Sequence, residues 1–500
     1  MAGWHCNCGH SYAVGQVSHR IPQHLFTTNN PPSETELNYI LPATVEVAQE
    51  LATLNDDIES LQKTLETLKA RCSELEARLL AYKSIISPLR RVPPEIVREI
   101  IGWATVGRPV TLDTEEGIWS YSRISHMWRS VVISTPPFWS TIHIIAPSSP
   151  IGYDHAIDCV NTILSQTGTH LLSLDFYYSE CIETTRHLAL QLLELFIQHA
   201  SQWRKVSLTI PDTPDFVNIL NFSKDRVTCL EDLFLELYIY ACGFGSDEPV
   251  ICFRNAPALR RVSFNTPNRT LDSMTDFFPW VQITKYKADM CTCSSWEWEF
   301  LQLMPNLLDL QLDGQYILYN KPTSRLVLKK LCRLDLFRSK DFVDCLILPA
   351  LQDVAVCLED CEVMIDLIKR SECHITTLTF RQGGGALFTK TGPLVKLFQS
   401  LPSLSTLKLF EQPVMIPYLF SVLIRARKQG FSLLPALTEL ILPAEIERID
   451  ALVFFLQQRV DSSSTLPIKS VVFIGPSQPP LPPALLSLQH DGLHISHDLS

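Results

Sequence analysis

Apolar residues along this chain follow two different periods. From Val47 they advance in steps of three and four. Leu51, Ile58, Leu65, Cys72, Leu79 and Ile86 form one row; Val47, Leu54, Leu61, Leu68, Leu75 and Tyr82 form the next. These are the a and d positions of a heptad pattern that runs unbroken for five heptads. No Pro or Gly interrupts residues 43–84, so the pattern predicts a helix of roughly 60 Å at 1.5 Å per residue. One apolar seam suits either a helix lying on the rest of the chain or self-association. For self-association the simplest form is a parallel homodimer joined through Leu51, Leu54, Ile58, Leu61, Leu65, Leu68, Leu75 and Leu79. Flanking charges do not decide the matter: in that dimer Arg71 would face Glu76, which attracts, and Arg78 would face Lys83, which repels.

Beyond residue 150 the period shortens. Leu-x-x-Leu-x-Leu returns again and again, often led by Pro-x: Pro305 to Leu312, Pro402 to Leu409 and Pro435 to Leu442 are clear copies. Leu331 to Leu336 and Leu351 to Val356 add two more, and weaker copies begin at Leu171, Trp203, Leu230, Leu259, Ile283, Ile375 and Ile468. Each Leu-x-Leu predicts a short strand with one face inward. Helix-like segments lie between them at 156–165, 185–198, 362–369, 418–428 and 446–458. Strand, helix and parallel strand make a crossover unit, and stacking many of them gives a solenoid. The pattern resembles the leucine-rich repeat, although the Asn or Cys of that repeat is replaced by Gln315, Ser339, Glu359, Gln412 and Glu445. The resemblance implies an irregular α/β horseshoe over residues 146–475; a conventional open α/β sheet is the rival reading. In such repeat units the middle residue of Leu-x-Leu faces outward, because side chains alternate along a strand. That column includes Asp175, Ser207, Phe234, Lys287, Gln311 and Asp335, with Asp313, Phe337 and Phe410 two residues on. Lys287, Asp313, Asp335, Phe337 and Phe410 are the candidate target contacts, because carboxylates beside exposed aromatics suit a basic protein segment with an apolar anchor.

Between the two patterns lies the most specific motif. Val92-Pro93-Pro94-Glu95-Ile96-Val97-Arg98-Glu99-Ile100 places Pro in a helix's first turn and Glu at its positive end. Ile96, Val97, Ile100 and Ile101 recur at i, i+4 as one apolar face. Asp113 and Glu116 have capping-box spacing, and Tyr121, Ile124, Trp128 and Val131 continue as a helix that Thr135-Pro136-Pro137 stops. Phe138 and Trp139 follow. Residues 92–100, Ile124-Ser125-His126-Met127-Trp128-Arg129 and Phe138-Trp139 together resemble the F-box, whose pattern is Leu-Pro-x-Glu-Ile-Leu-x-x-Ile, Val-Cys-x-x-Trp-Arg and Leu-Trp. Gly102 to Arg123 does not match it. The heptads leading into SPLRRVPPEI, and the ending STPPFWSTI, look especially like the F-box families of mushroom-forming fungi. The resemblance implies a small all-α module at 87–145 that binds a Skp1-like adaptor, and thereby a cullin, through Pro93, Ile96, Ile100, Ile101, Ile124, Trp128, Val131 and Trp139. It also implies that the chain presents a protein target and has no catalytic residues or cofactor of its own. An oligomeric scaffold that uses the coil and the repeats without a ligase is the alternative.

The remaining features bound this picture. A net charge of −11 leaves no basic stripe for nucleic acid. Residues 1–86 carry 6 basic and 10 acidic groups and residues 87–145 carry 6 and 5, which leaves about −8 for the rest. Neither a signal peptide nor an 18-residue apolar run is expected. Fifteen cysteines in 500 residues, among them Cys159, Cys332, Cys345 and Cys357, read as buried thiols of the cytosol or nucleus. His5, Cys6, Cys8 and His10 lack the second Cys pair of a zinc module. Cys291-x-Cys293 and the C-terminal histidines rank no higher, and Gly383-Gly384-Gly385 lacks the Lys-Ser/Thr of a phosphate loop. Residues 1–42 and 476–500 are expected to be a disordered and a loosely packed tail.

Overall fold

The heptad segment forms one long helix, and it starts earlier than the seam alone indicates. The computed structural model describes residues 24–27, 30–178, 183–238, 248–265, 276–289, 300–313, 324–337, 340–381, 391–409, 415–444, 449–460, 466–475, 483–490 and 492–498. The chain divides into two compact units, Met1–Pro93 and Pro94–Ser500. In the first, helix α1 spans Glu34–Ile85. A capping box sets its start: Ser33 Oγ accepts the Glu36 amide and the Glu36 carboxylate accepts the Ser33 amide at 2.8 Å. The Ser33 contacts hold the Glu36 carboxyl below its ordinary range. Pro42 lies inside the helix. It costs on the order of 3 kcal/mol there, part of which the cap offsets. The tail reading of 1–42 is therefore corrected from Glu34 onward.

The second unit opens with three helices: α2 (Pro94–Thr105), α3 (Gly117–Tyr121) and α4 (His126–Ile133). Helix α2 starts at the Pro94-Glu95 signal and ends before Gly107, whose φ of +71° is the left-handed conformation that favours glycine. The expected single helix through Tyr121, Ile124, Trp128 and Val131 is instead two. Ser125 explains the break: its hydroxyl accepts the Trp128 amide at 3.3 Å and caps a fresh helix. The Asp113/Glu116 capping box does not form either. Asp113 accepts the Glu115 amide at 2.8 Å in a local turn, and the Glu116 side chain caps nothing.

Fourteen strands then form one open parallel sheet whose spatial order is the chain order. They are β1 (Thr141–Ile145), β2 (Leu172–Tyr177), β3 (Trp203–Pro211), β4 (Asp232–Tyr238), β5 (Arg261–Asn265), β6 (Lys285–Asp289), β7 (Asp309–Asp313), β8 (Arg333–Phe337), β9 (Asp353–Cys357), β10 (Thr377–Arg381), β11 (Thr406–Leu409), β12 (Glu439–Pro443), β13 (Ser470–Ile474) and β14 (His494–Asp498). All twelve Leu-x-x-Leu-x-Leu units fall on β2 to β13. One register runs through them: Ile142 pairs with Leu174, Leu174 with Val206, and so on to Val471 with Ile495. Every residue of that column is buried. The period-2 alternation carries this order, because a slip of one residue would turn each leucine to solvent.

The helices between strands supply the matching apolar stripes. Tyr153–Thr167 buries Tyr153, Ala156, Val160, Ile163 and Leu164, and Phe196 of the helix Glu183–Gln198 meets Phe176 of β2 at 6.0 Å between ring centroids. Cys361–Ser371, Met415–Lys428 and Ile449–Val460 occupy three more of the predicted segments. Far along the sheet a buried cation ties a loop down. Arg459 is 3% exposed and donates to the Leu434 and Leu437 carbonyls at 2.7–3.0 Å. Burial, and then the nearby Arg427, pull its pKa down to about 10.

Both ends of the sheet lie outside the repeat boundaries expected from sequence. Strand β1 belongs to the segment assigned to the helical module. The 476–500 tail contributes the helix Pro483–His490 and the closing strand β14. No helix among the described residues is long and apolar enough to cross a membrane.

Candidate adaptor and target sites

Helix α2 carries two apolar faces where sequence suggested one. At 100° per residue, Ile96, Ile100 and Trp103 fall within about 60° of one another, and Val97 and Ile101 lie roughly 100° round from them. Val97 and Ile101 are fully buried. Ile96, Ile100 and Trp103 are 45%, 43% and 81% exposed. A helix of 12 residues thus holds its module with one face and offers isoleucines and a tryptophan to solvent with the other.

Four candidate adaptor residues prove to be the module's interior. Ile101, Trp128, Val131 and Trp139 are buried. The Trp139 indole donates to the Val132 carbonyl at 2.9 Å, and its ring meets Trp119 edge-on at 5.0 Å. Thr135 links the helices: its hydroxyl donates to the Val131 carbonyl at 2.7 Å and accepts from Arg98 Nε at 3.4 Å. Ile96, Ile100 and Ile124 are exposed. Pro93, also exposed, is the last residue of the first unit. Sequence reasoning missed Trp103; its signal is the i+7 spacing from Ile96.

In the first unit every seam residue from Leu51 to Leu79 that the heptads assign is exposed, the leucines and isoleucine by 43–60%. Ala43 is the one buried residue of α1.

The outward column of the sheet is less uniform than alternation implies. Asp313 is exposed and Lys287 half-buried. Asp335, expected outside, is 5% exposed. Arg381 on β10 reaches back past β9 to its carboxylate at 2.5 Å and also to Asp313 at 3.7 Å. Burial pushes the Asp335 carboxyl above its ordinary range, and Arg381 and Arg333 offset only part of this. Asp335 therefore joins strands rather than facing a partner. Replacing Asp335 with Ala leaves the Arg381 guanidinium only its longer contact to Asp313, so the expected loss is about 1–2 kcal/mol of stability. Urea unfolding checks this: a lowered midpoint at unchanged slope is the expected result, and an unchanged midpoint would show the pair to be solvated.

Near the N-terminal edge the column opens into a groove of about 390 Å³ across β1 to β4. His143, Asp175, Ser207 and Phe234 cross it in register. His143 Nδ1 and Asp175 Oδ2 are 2.8 Å apart. Lys205 also lines the groove and has no ion-pair partner among the described residues, whereas Asp232 is held by Arg261 at 2.9 Å. Further along, Lys285 with Asp309 (3.1 Å) and Arg333 with Asp353 (3.7 Å) continue a cross-strand ladder, whose pairs favour the observed register.

Cys159, Cys345 and Cys357 are buried and Cys332 half-buried. Burial pushes the Cys252 and Cys361 thiols up to about 12, so neither is a ready nucleophile. Among the described residues no cluster of three His, Cys, Asp or Glu side chains could hold a metal. His5, Cys6, Cys8, His10, Cys291, Cys293, Gly383 to Gly385 and Phe410 lie outside the described residues, as does the Phe337 side chain. No protein-family model matches the chain, and no curated protein matches it.

Proposed function

We propose that this chain is the substrate-recognition subunit of a Skp1–cullin–F-box ubiquitin ligase in the cytosol or nucleus. The observation that carries the reading is the outward stripe of Ile96, Ile100 and Trp103 on a helix begun by Pro94-Glu95, in a module closed by Trp128 and Trp139. Such a stripe fits an apolar adaptor groove, the helix-in-groove mode of recognition. Catalysis then belongs to other subunits, and this chain contributes proximity between target and ubiquitin donor. Co-expression with a Skp1-like adaptor and a cullin N-terminal domain tests the reading. A single complex on size exclusion is the expected result; separate elution of folded components counts against it.

In this reading the sheet is an irregular leucine-rich-repeat-like solenoid that holds the target. Sequential strand order and one shared register support it, since each unit then contacts mainly its neighbours. The groove over β1 to β4 is the place for an extended segment, with Phe234 as apolar anchor and Lys205, which has no ion-pair partner among the described residues, as the cation. Changing Phe234 and Lys205 to Ala should remove partners captured by proximity labelling while leaving adaptor binding intact. An unchanged set of captured proteins would move the target site elsewhere on the chain.

The alternative, an oligomeric scaffold without a ligase, draws on the exposed α1 seam. It predicts self-association with no adaptor binding.

A further inference from the structure

Helix α1 runs without interruption from Glu34, so its seam extends back through Thr44, Ile40 and Leu37. Four charged residues flank that seam at g positions: Glu50 and Asp57 in its first half, Arg71 and Arg78 in its second. All four are exposed, and none has an ion-pair partner among the described residues. Acids and bases on one edge are thus segregated by halves, and that segregation discriminates between the two ways of pairing identical helices.

In a parallel pair each g position meets an e position five residues on. Arg71 then attracts Glu76, but Arg78 repels Lys83, and each contact occurs twice. Bulk is also poorly matched, because Tyr82 meets Tyr82 and Thr44 meets Thr44. In an antiparallel pair a positions meet d positions, and g meets g. With the two-fold axis at Lys63 the apolar rows overlap from Ile40 to Ile86. Leu51 lies against Leu75 of the second copy, Ile58 against Leu68, and Leu61 against Leu65. Tyr82 now meets the small Thr44. On the g edge Glu50 faces Arg78 and Asp57 faces Arg71, each twice by symmetry. The e edge pairs Ala48 with Glu76, Asn55 with Lys69 and Gln62 with itself, so no like charges meet. Four attractive contacts replace two attractive and two repulsive ones.

We propose that α1 pairs with α1 of a second copy in antiparallel orientation, centred at Lys63. Charge complementarity along the g edge selects that orientation over the parallel one. The C-terminal ends of the two helices then lie about 70 Å apart, against about 10 Å in a parallel pair. This does not depend on the ligase reading.

The sign of one charge reversal tests it on the full chain. Arg78→Glu puts two repulsive contacts against Glu50 in the antiparallel dimer, so sedimentation should show the dimer Kd rising about fivefold or more. In a parallel dimer the same change creates attraction to Lys83, and the Kd falls. Adding Glu50→Arg should restore the antiparallel dimer. Covalent linkage gives a second measurement. Leu54→Cys faces Cys72 of the other copy in the antiparallel register, and the two are about 27 Å apart within one helix. Mild oxidation should therefore yield an intermolecular 54–72 peptide by mass spectrometry. A tighter Arg78→Glu dimer, a Cys72–Cys72 link in the unaltered chain, or a chain that stays monomeric would each overturn the proposal.

Discussion

Replacing Ile96 and Trp103 with Ala should weaken binding to a Skp1-like adaptor by 100-fold or more and leave the chain folded. Both side chains are exposed, so neither change opens a cavity. Each aliphatic or aromatic group that becomes fully buried on docking contributes about 1.5–3 kcal/mol, and every 1.4 kcal/mol is about tenfold in Kd. Trp128→Ala separates recognition from folding. Trp128 is buried among the helices of the module, and such a truncation costs about 3–5 kcal/mol of stability. It should abolish binding together with the module's thermal transition. Calorimetric titration alongside a melting curve checks both. Equal melting loss in the two variants would show that the outward stripe is structural.

The second large effect lies in the coil. Leu61→Lys with Leu68→Lys should convert dimers to monomers at micromolar concentration. Each lysine enters the seam twice in a symmetric pair, which puts four buried cations where leucines packed. Losing the leucine burial alone raises the Kd by a factor on the order of 10³ or more. Light scattering on the full chain is the check. An unaltered chain that is already monomeric would leave the seam without a partner copy and sink the coil reading.

The strands were legible because their signal is strictly local. Leu-x-Leu alternation has a period of two, and Pro before the unit stops the preceding helix; residues such as Leu310, Leu334 and Leu407 announce their own burial. The two terminal strands were not. His494–Asp498 holds a single aliphatic residue, Ile495, because an end strand has one neighbour to match. Thr141–Ile145 was absorbed into the helical motif that precedes it. The start of α1 was hidden by Pro42, a helix breaker whose cost the capping box at Ser33 offsets in part.

Site residues were less legible for a physical reason. Ile96 and Val97 are both aliphatic, and which of two adjacent residues turns inward depends on where α4 packs. Neither the Trp128 indole nor that of Trp139 reveals in sequence whether it binds a partner or fills its own core. Asp335 obeys the alternation rule yet is buried, because Arg381, 46 residues later, folds back over it. Such coverage depends on the tertiary arrangement of strands two apart, which no local period encodes.

One titration tests the central claim most directly: purified full-length chain against a Skp1-like adaptor, beside the Ile96→Ala, Trp103→Ala variant. The account predicts saturable one-to-one binding by the unaltered chain and at least 100-fold weaker binding by the variant, at an unchanged melting temperature. A folded chain that releases no heat and forms no complex with the adaptor, or a variant that binds as tightly as the parent, would contradict it.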